Sequence, residues 1–130
     1  MKQQGVGEVF LGPLDVVFSR WTALEPDLLF VGEDRASIVT EENIQGAPDL
    51  VVEVLSRGNE TYDRETKMRA YERAGVRELW HLDPEEKTAE ILNLGPDGRY
   101  PPAAQLAGRA AIVSKMLTGL FLTLDEVFAD

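Results

Sequence analysis

Two stretches of this sequence begin with Pro-Asp, "EPDLLFVG" at residues 25–32 and "APDLVVEVLS" at residues 47–56, and the second carries a glutamate inside an apolar run. A carboxylate flanked by Val51-Val52 and Val54-Leu55 is costly unless it is paired, hydrogen-bonded or bound to a metal. Glu53 is therefore the residue that most needs a partner. Side chains alternate along a strand, so Asp49 and Glu53 share a face but stand about 13 Å apart at ~3.3 Å per residue. Mg²⁺ takes its oxygen ligands at about 2.0–2.1 Å, and those two acids cannot clamp one ion. Asp27 is the better candidate. Neighbouring strands lie about 4.8 Å apart, and the 25 residues between Asp27 and Glu53 let the chain return alongside.

A third group enters from downstream. Lys67 lies on a predicted helix that directly follows the Glu53 strand, and such a helix packs back on its own sheet. The residues alone leave two readings open: Glu53 holds a cation together with Asp27, or it is a buried acid satisfied by Lys67 or an arginine. Lys67 taken by itself reads as an exposed helix lysine paired with Asp63 one turn before it. Tyr71, one turn further, reads as core packing with Met68 and Ala74.

The elements that must position these groups follow from pattern. "GEVFLGPLDVVFS" predicts two short strands broken at Gly12-Pro13, and "PDLLFV" a third that opens on Pro26, where a missing N–H does no harm. "GEDRASIVTEENIQGA" reads as polar loop with one short ordered segment near Ser37–Thr40. "PDLVVEVL" is apolar on both faces, which predicts a central strand covered on both sides. A helix is expected from Glu60 to Ala74, with Asn59 as N-cap and Gly75 as the stop. "VRELWHLD" is the next strand, and "TAEILNL" and the segment around Tyr100 bracket "GPDG" as a hairpin turn. Thr123 to Glu126 matches a capping box. Strands, a strand–helix–strand crossover and further strands predict one α/β (α+β) domain over residues 1–130 with a mixed sheet.

Composition narrows the chemistry. The chain has 130 residues, no cysteine and a single histidine, His81, so disulfides, thiolate sites and a multi-histidine zinc site are excluded. No Gly-x-Ser-x-Gly turn is present to offer a nucleophilic serine. No stretch approaches the ~20 apolar residues of a membrane span, and "MKQQGVGEVFLG" lacks a signal-peptide core, so the expected location is cytoplasmic. A net charge of −10 opposes nonspecific attraction to nucleic acid. Between Arg57 and Arg77 the balance reverses, with six basic residues against four acids, a pattern that also fits a solvated helix face.

"GAPDLVVEVLS…D…K…Y…AGVRELWHLDP", with "PDLLFV" upstream and "LTGLFLTLDEVF" downstream, resembles the Uma2 family of restriction-endonuclease-like proteins, from about Gly7 to the C-terminus. That family is assigned to the PD-(D/E)xK nuclease superfamily, which implies a mixed sheet flanked by helices. The resemblance implies that Asp27 is the motif aspartate and Glu53 the motif acid. The position two beyond Glu53, the usual site of the lysine, is Leu55 here, and the family's lysine is matched by Lys67 on the following helix. Asp49 matches a family motif position other than the metal-binding one. Family members usually begin with a longer N-terminal region containing helices, so that region is expected to be missing or shortened. Glu8, in a strand-like segment, is not expected to replace its acid.

The resemblance further implies Mg²⁺- or Mn²⁺-dependent hydrolysis of DNA phosphodiester bonds. Asp27, Glu53 and the main-chain carbonyl of Val54 would hold the metal, and Lys67 would serve as the catalytic cation. Ser56, Arg57 and Arg64 are candidate phosphate contacts, although all three also read as ordinary surface residues. Two other functions fit the same residues: a non-catalytic DNA- or protein-binding domain of this fold, and a scaffold in which Glu53 and Lys67 form a structural ion pair. The apolar tail "MLTGLFLTLDEVF" adds the expectation of a homodimer.

Overall fold

The central run at residues 50–54 meets its expectation by lying in the middle of a seven-stranded sheet. In the computed structural model, residues 2–3, 7–11, 14–18, 23–55 and 60–129 are described, with side chains for 7–11, 14–18, 23–55 and 64–129. Along the chain these form β1 (Lys2–Gln3), β2 (Gly7–Leu11), β3 (Val16–Val17), β4 (Ala23–Leu24), β5 (Leu28–Gly32), β6 (Ile44–Gln45), β7 (Leu50–Val54), α1 (Glu60–Ala74), β8 (Glu78–Asp83), β9 (Thr88–Asn93), β10 (Gln105–Ala107), β11 (Ala111–Ile112), β12 (Leu122–Thr123) and α2 (Leu124–Val127). The large sheet runs β1-β2-β5-β7-β8-β9-β10. Its β7–β8 pair is parallel and joined through α1, while β5–β7 and β8–β9 are antiparallel. A small sheet, β4-β3-β6, and a β11–β12 pair complete the strands.

Both faces of the sheet are covered, as the two-sided apolar pattern of β7 requires. On one face Leu29, Val31, Val51, Leu79 and Leu92 pack with Tyr71 and Val76, and with Val16 and Ile44 of the small sheet. On the other, Phe30, Leu50, Val52, Trp80 and Ala89 pack under Ile112 and Leu124 of the C-terminal segment. The sheet is thus mixed and flanked unequally: one long helix on one side, a single helical turn on the other. No helix among the described residues is long and apolar enough to cross a membrane.

Helix α1 ends where Gly75 adopts φ +88°. The Gly75 and Val76 N–H groups both return to the Tyr71 carbonyl, at 3.1 and 3.0 Å, a left-handed C-terminal stop that a side chain would strain. Asn59, the expected N-cap, lies outside the described residues. At the C-terminus the capping box forms as expected, with reciprocal bonds between Thr123 and Glu126.

Two expectations are corrected. The polar loop after β5 is more ordered than its composition suggests, with a 3₁₀ helix at Glu33–Ile38 and then β6. "GPDG" does turn, with the Gly98 N–H on the Gly95 carbonyl at 2.9 Å, but Tyr100 starts no strand. Pro101 and Pro102 follow it and carry no N–H for a ladder. Strand β9 pairs instead with β8 and, from Gln105, with β10.

Candidate active site

In the β5–β7 ladder Leu28 faces Val52 and Leu29 faces Val51. One more step along this antiparallel register puts Asp27 opposite Glu53, on the face that α1 covers. Asp27 is exposed and Glu53 is 6% exposed, so the pair sits where the sheet end meets solvent. The Val54 N–H donates to Asp27 Oδ2 at 2.7 Å, which ties the aspartate to the backbone just past Glu53. Among the described residues no third His, Cys, Asp or Glu joins them in a metal-sized cluster.

Helix α1 brings two more groups to Glu53. Lys67 Nζ lies 3.5 Å from Oε1, and the Tyr71 hydroxyl donates to Oε2 at 2.5 Å. The i,i+4 spacing of Lys67 and Tyr71 places them on one helix face, one for each carboxylate oxygen. Tyr71 is fully buried, as core packing requires, but its hydroxyl makes it a member of the site. Burial pushes the Glu53 carboxyl above the usual range; Tyr71 and Lys67 pull it back, and the negative charge of Asp27 pushes it further up. Burial, and then the charge of Glu53, raise the Tyr71 phenol, which stays a neutral donor. Beside these polar contacts, Tyr71 and Met68 seat the helix on the apolar core of the sheet.

Asp49 is elsewhere, at the start of β7. Its Oδ2 accepts the Gly32 N–H at 2.6 Å and its Oδ1 lies 3.8 Å from Arg35 Nε. A Cβ at position 32 would stand 3.0 Å from that Asp49 oxygen, so glycine allows the contact. Asp49 is a strand-entry residue, in agreement with its spacing from Glu53. Glu8 faces Val31, at the far end of the β2–β5 ladder from Asp27. Arg64 pairs with Glu90 of β9 at 3.2 Å, whereas Ser56 and Arg57, like the side chain of Asp63, lie outside the described residues.

Beside the site, β8 places His81 in register with Glu53. The imidazole is 4% exposed and its Nε2 has no hydrogen-bond partner among the described residues. Burial, with the Arg64 charge adding, pushes its pKa from 6.5 down to about 4. A lowered folded value means that the contribution of the neutral ring is present above pH 6.5 and lost as pH falls toward 4. Glu53 acts in the opposite sense: its folded value is raised, so its contribution is present below pH 4.5 and lost as pH rises through the raised value. His81→Leu is expected to shrink the stability difference between pH 7 and pH 4 by about 3 kcal/mol. Urea denaturation at the two pH values checks this, and an unchanged difference would refute it.

Sheet order, crossover helix and paired acids across β5 and β7 define a restriction-endonuclease-like α+β domain. The same fold occurs in a solved structure titled a "putative nuclease belonging to DUF820 from Anabaena variabilis ATCC 29413", with a TM-score of 0.78 and 20% identity, covering 97% of this chain and 70% of that one. The chain itself belongs to the Uma2 family, described as "Putative restriction endonuclease", which matches residues 1–125. No curated protein matches it.

Proposed function

We propose that this chain is a divalent-metal-dependent nuclease that hydrolyses DNA phosphodiester bonds. The observation that carries the reading is the convergence of Asp27, from the start of β5, and Lys67, from α1, on the buried Glu53. The donors fit a hard cation: carboxylate and carbonyl oxygens suit Mg²⁺ or Mn²⁺, and the like charges of Asp27 and Glu53 are a pair that a cation relieves. The main-chain oxygen of Val54 is the third protein ligand in this reading. In a strand the N–H and C=O of one residue leave on the same side; the Val54 N–H points to Asp27, so its carbonyl is the natural choice. When bound, the metal supplies a polarised phosphate and a bound water of lowered pKa.

The chain's own residues do the rest. Asp27, exposed at the sheet end, gives substrate access to the paired acids. Glu53 is oriented through both oxygens by Lys67 and Tyr71, so it needs little reorganisation to act. Lys67, part-exposed beside it, orients the attacking water or offsets charge developing on the phosphate. The test is cleavage of plasmid and single-stranded DNA with Mg²⁺ or Mn²⁺ by wild type, Asp27→Ala, Glu53→Ala and Lys67→Ala. Activity equal in all four sinks the assignment, and DNA binding without turnover favours the non-catalytic domain.

Tyr71→Phe removes a bond that lowers the Glu53 pKa. The acid limb of metal-dependent activity is therefore expected to move to higher pH, and an unshifted limb would remove Tyr71 from the site. The chain is also proposed to pair with a second copy through its C-terminal segment, where Val113 and Phe121 are 75% and 77% exposed. Light scattering at micromolar concentration tests it, and a clean monomer counts against it.

A further inference from the structure

A cleft of about 310 Å³ opens between α1, strands β8 and β9, and the segment 100–103, one strand away from Glu53. Met68, Leu92, Tyr100 and Pro101 give it apolar walls, and His81 and Glu90 give it a polar floor. His81 and Glu90 are direct cross-strand partners, so their side chains stand side by side. Arg64 reaches over from α1 to Glu90 at 3.2 Å. The Tyr100 hydroxyl is occupied by the Val76 carbonyl at 2.6 Å and its N–H by Glu72 at 2.8 Å, which pins the ring as a wall. Against this satisfied background His81 stands out: a ring 4% exposed, lining the cleft, whose Nε2 has no partner among the described residues. A buried polar atom without a partner is rare and calls for a ligand or an ordered water.

The geometry points to this cleft as the seat of one unpaired nucleobase of a nucleic-acid substrate. The inference rests on the nuclease reading and narrows its substrate. Glu53 and His81 are in register on neighbouring strands, whose backbones lie about 4.8 Å apart. The Tyr100 ring offers stacking, and Met68, Leu92 and Pro101 offer apolar contact to a base face. The Glu90 carboxylate accepts from base N–H groups, and the His81 ring beside it closes the floor under the base edge. A duplex does not enter so narrow a space, so the substrate is single-stranded or presents an extruded base.

His81 is the sole histidine of the chain, and its imidazole resonances therefore report on the cleft without ambiguity. The experiment titrates the full-length protein with deoxyadenosine 5′-monophosphate, and separately with deoxyribose 5-phosphate, while those resonances are followed by NMR. A saturable shift with the nucleotide, absent with the sugar phosphate, is the expected result. Nucleotide affinity, read from backbone amides around the cleft, is expected to fall at least tenfold in His81→Leu. No shift up to millimolar nucleotide, or an equal shift with the sugar phosphate, overturns the base pocket. The readout needs no turnover: a shift without cleavage under any metal sinks the nuclease reading alone, and cleavage without a shift sinks the pocket alone.

Discussion

Glu53→Gln is expected to abolish metal-dependent DNA cleavage, lowering the rate by about a thousandfold or more, in line with the several kcal/mol that a Lewis acid supplies. The substitution keeps shape, and the amide oxygen still accepts from the Tyr71 hydroxyl. It removes the charge that faces Asp27 and that Lys67 approaches at 3.5 Å. The metal-free fold should hardly change, because a desolvated carboxylate whose burial disfavours its charge is exchanged for a neutral group. Cleavage kinetics and thermal unfolding, measured on the same preparation, separate the two effects. Near-wild-type cleavage by a folded Glu53→Gln protein would end the assignment of Glu53 as a metal ligand.

Glu78→Ala is expected to cost about 3 kcal/mol or more, and to lower the melting temperature by roughly 10 °C. Glu78 is fully buried on the face opposite the site. Its carboxylate accepts from Trp80 Nε1 at 2.6 Å, Ser114 Oγ at 2.7 Å, and the Lys115 and Met116 N–H groups at 2.8 and 3.1 Å. Those bonds fasten the C-terminal segment, with Ile112 and Leu124, over the second core. Alanine leaves four donors without their acceptor and a cavity beneath them. Urea denaturation measures the loss, and limited proteolysis should show earlier cutting in residues 113–121. A variant within 1 kcal/mol of wild type would refute the anchor, whereas Glu78→Gln, which keeps the volume, should fall between.

Glu53 and Glu78 together show how far the sequence reaches. Each is an acid in an apolar strand, and the reasoning that singled out Glu53 applies equally to "ELWHL". Strand periodicity says that residues two apart share a face, but not which face a given strand turns toward which cover. Asp27 was legible because Pro-Asp opens a strand and spacing rules out Asp49. Lys67 was ambiguous because a helix lysine has several partners within reach, and the fold decides among them. In the sequence Tyr71 reads as packing alone; its i,i+4 relation to Lys67 is the available signal. His81 carried none, since its burial depends on α1 and on the segment around Tyr100.

Local pattern is enough for strands β2, β3, β5, β7, β8 and β9, the crossover helix from Glu60 to Ala74, the exclusion of thiolate and multi-histidine chemistry, and the acid most in need of a partner. These follow from local periodicity, capping residues and composition. Only the tertiary structure decided that Asp27 stands opposite Glu53, that Lys67 and Tyr71 divide its two oxygens, that Glu78 serves the other face, and that a cleft opens beside His81. Each of those depends on which distant segment covers which side of the sheet, and that is settled by packing between elements tens of residues apart rather than by any local pattern.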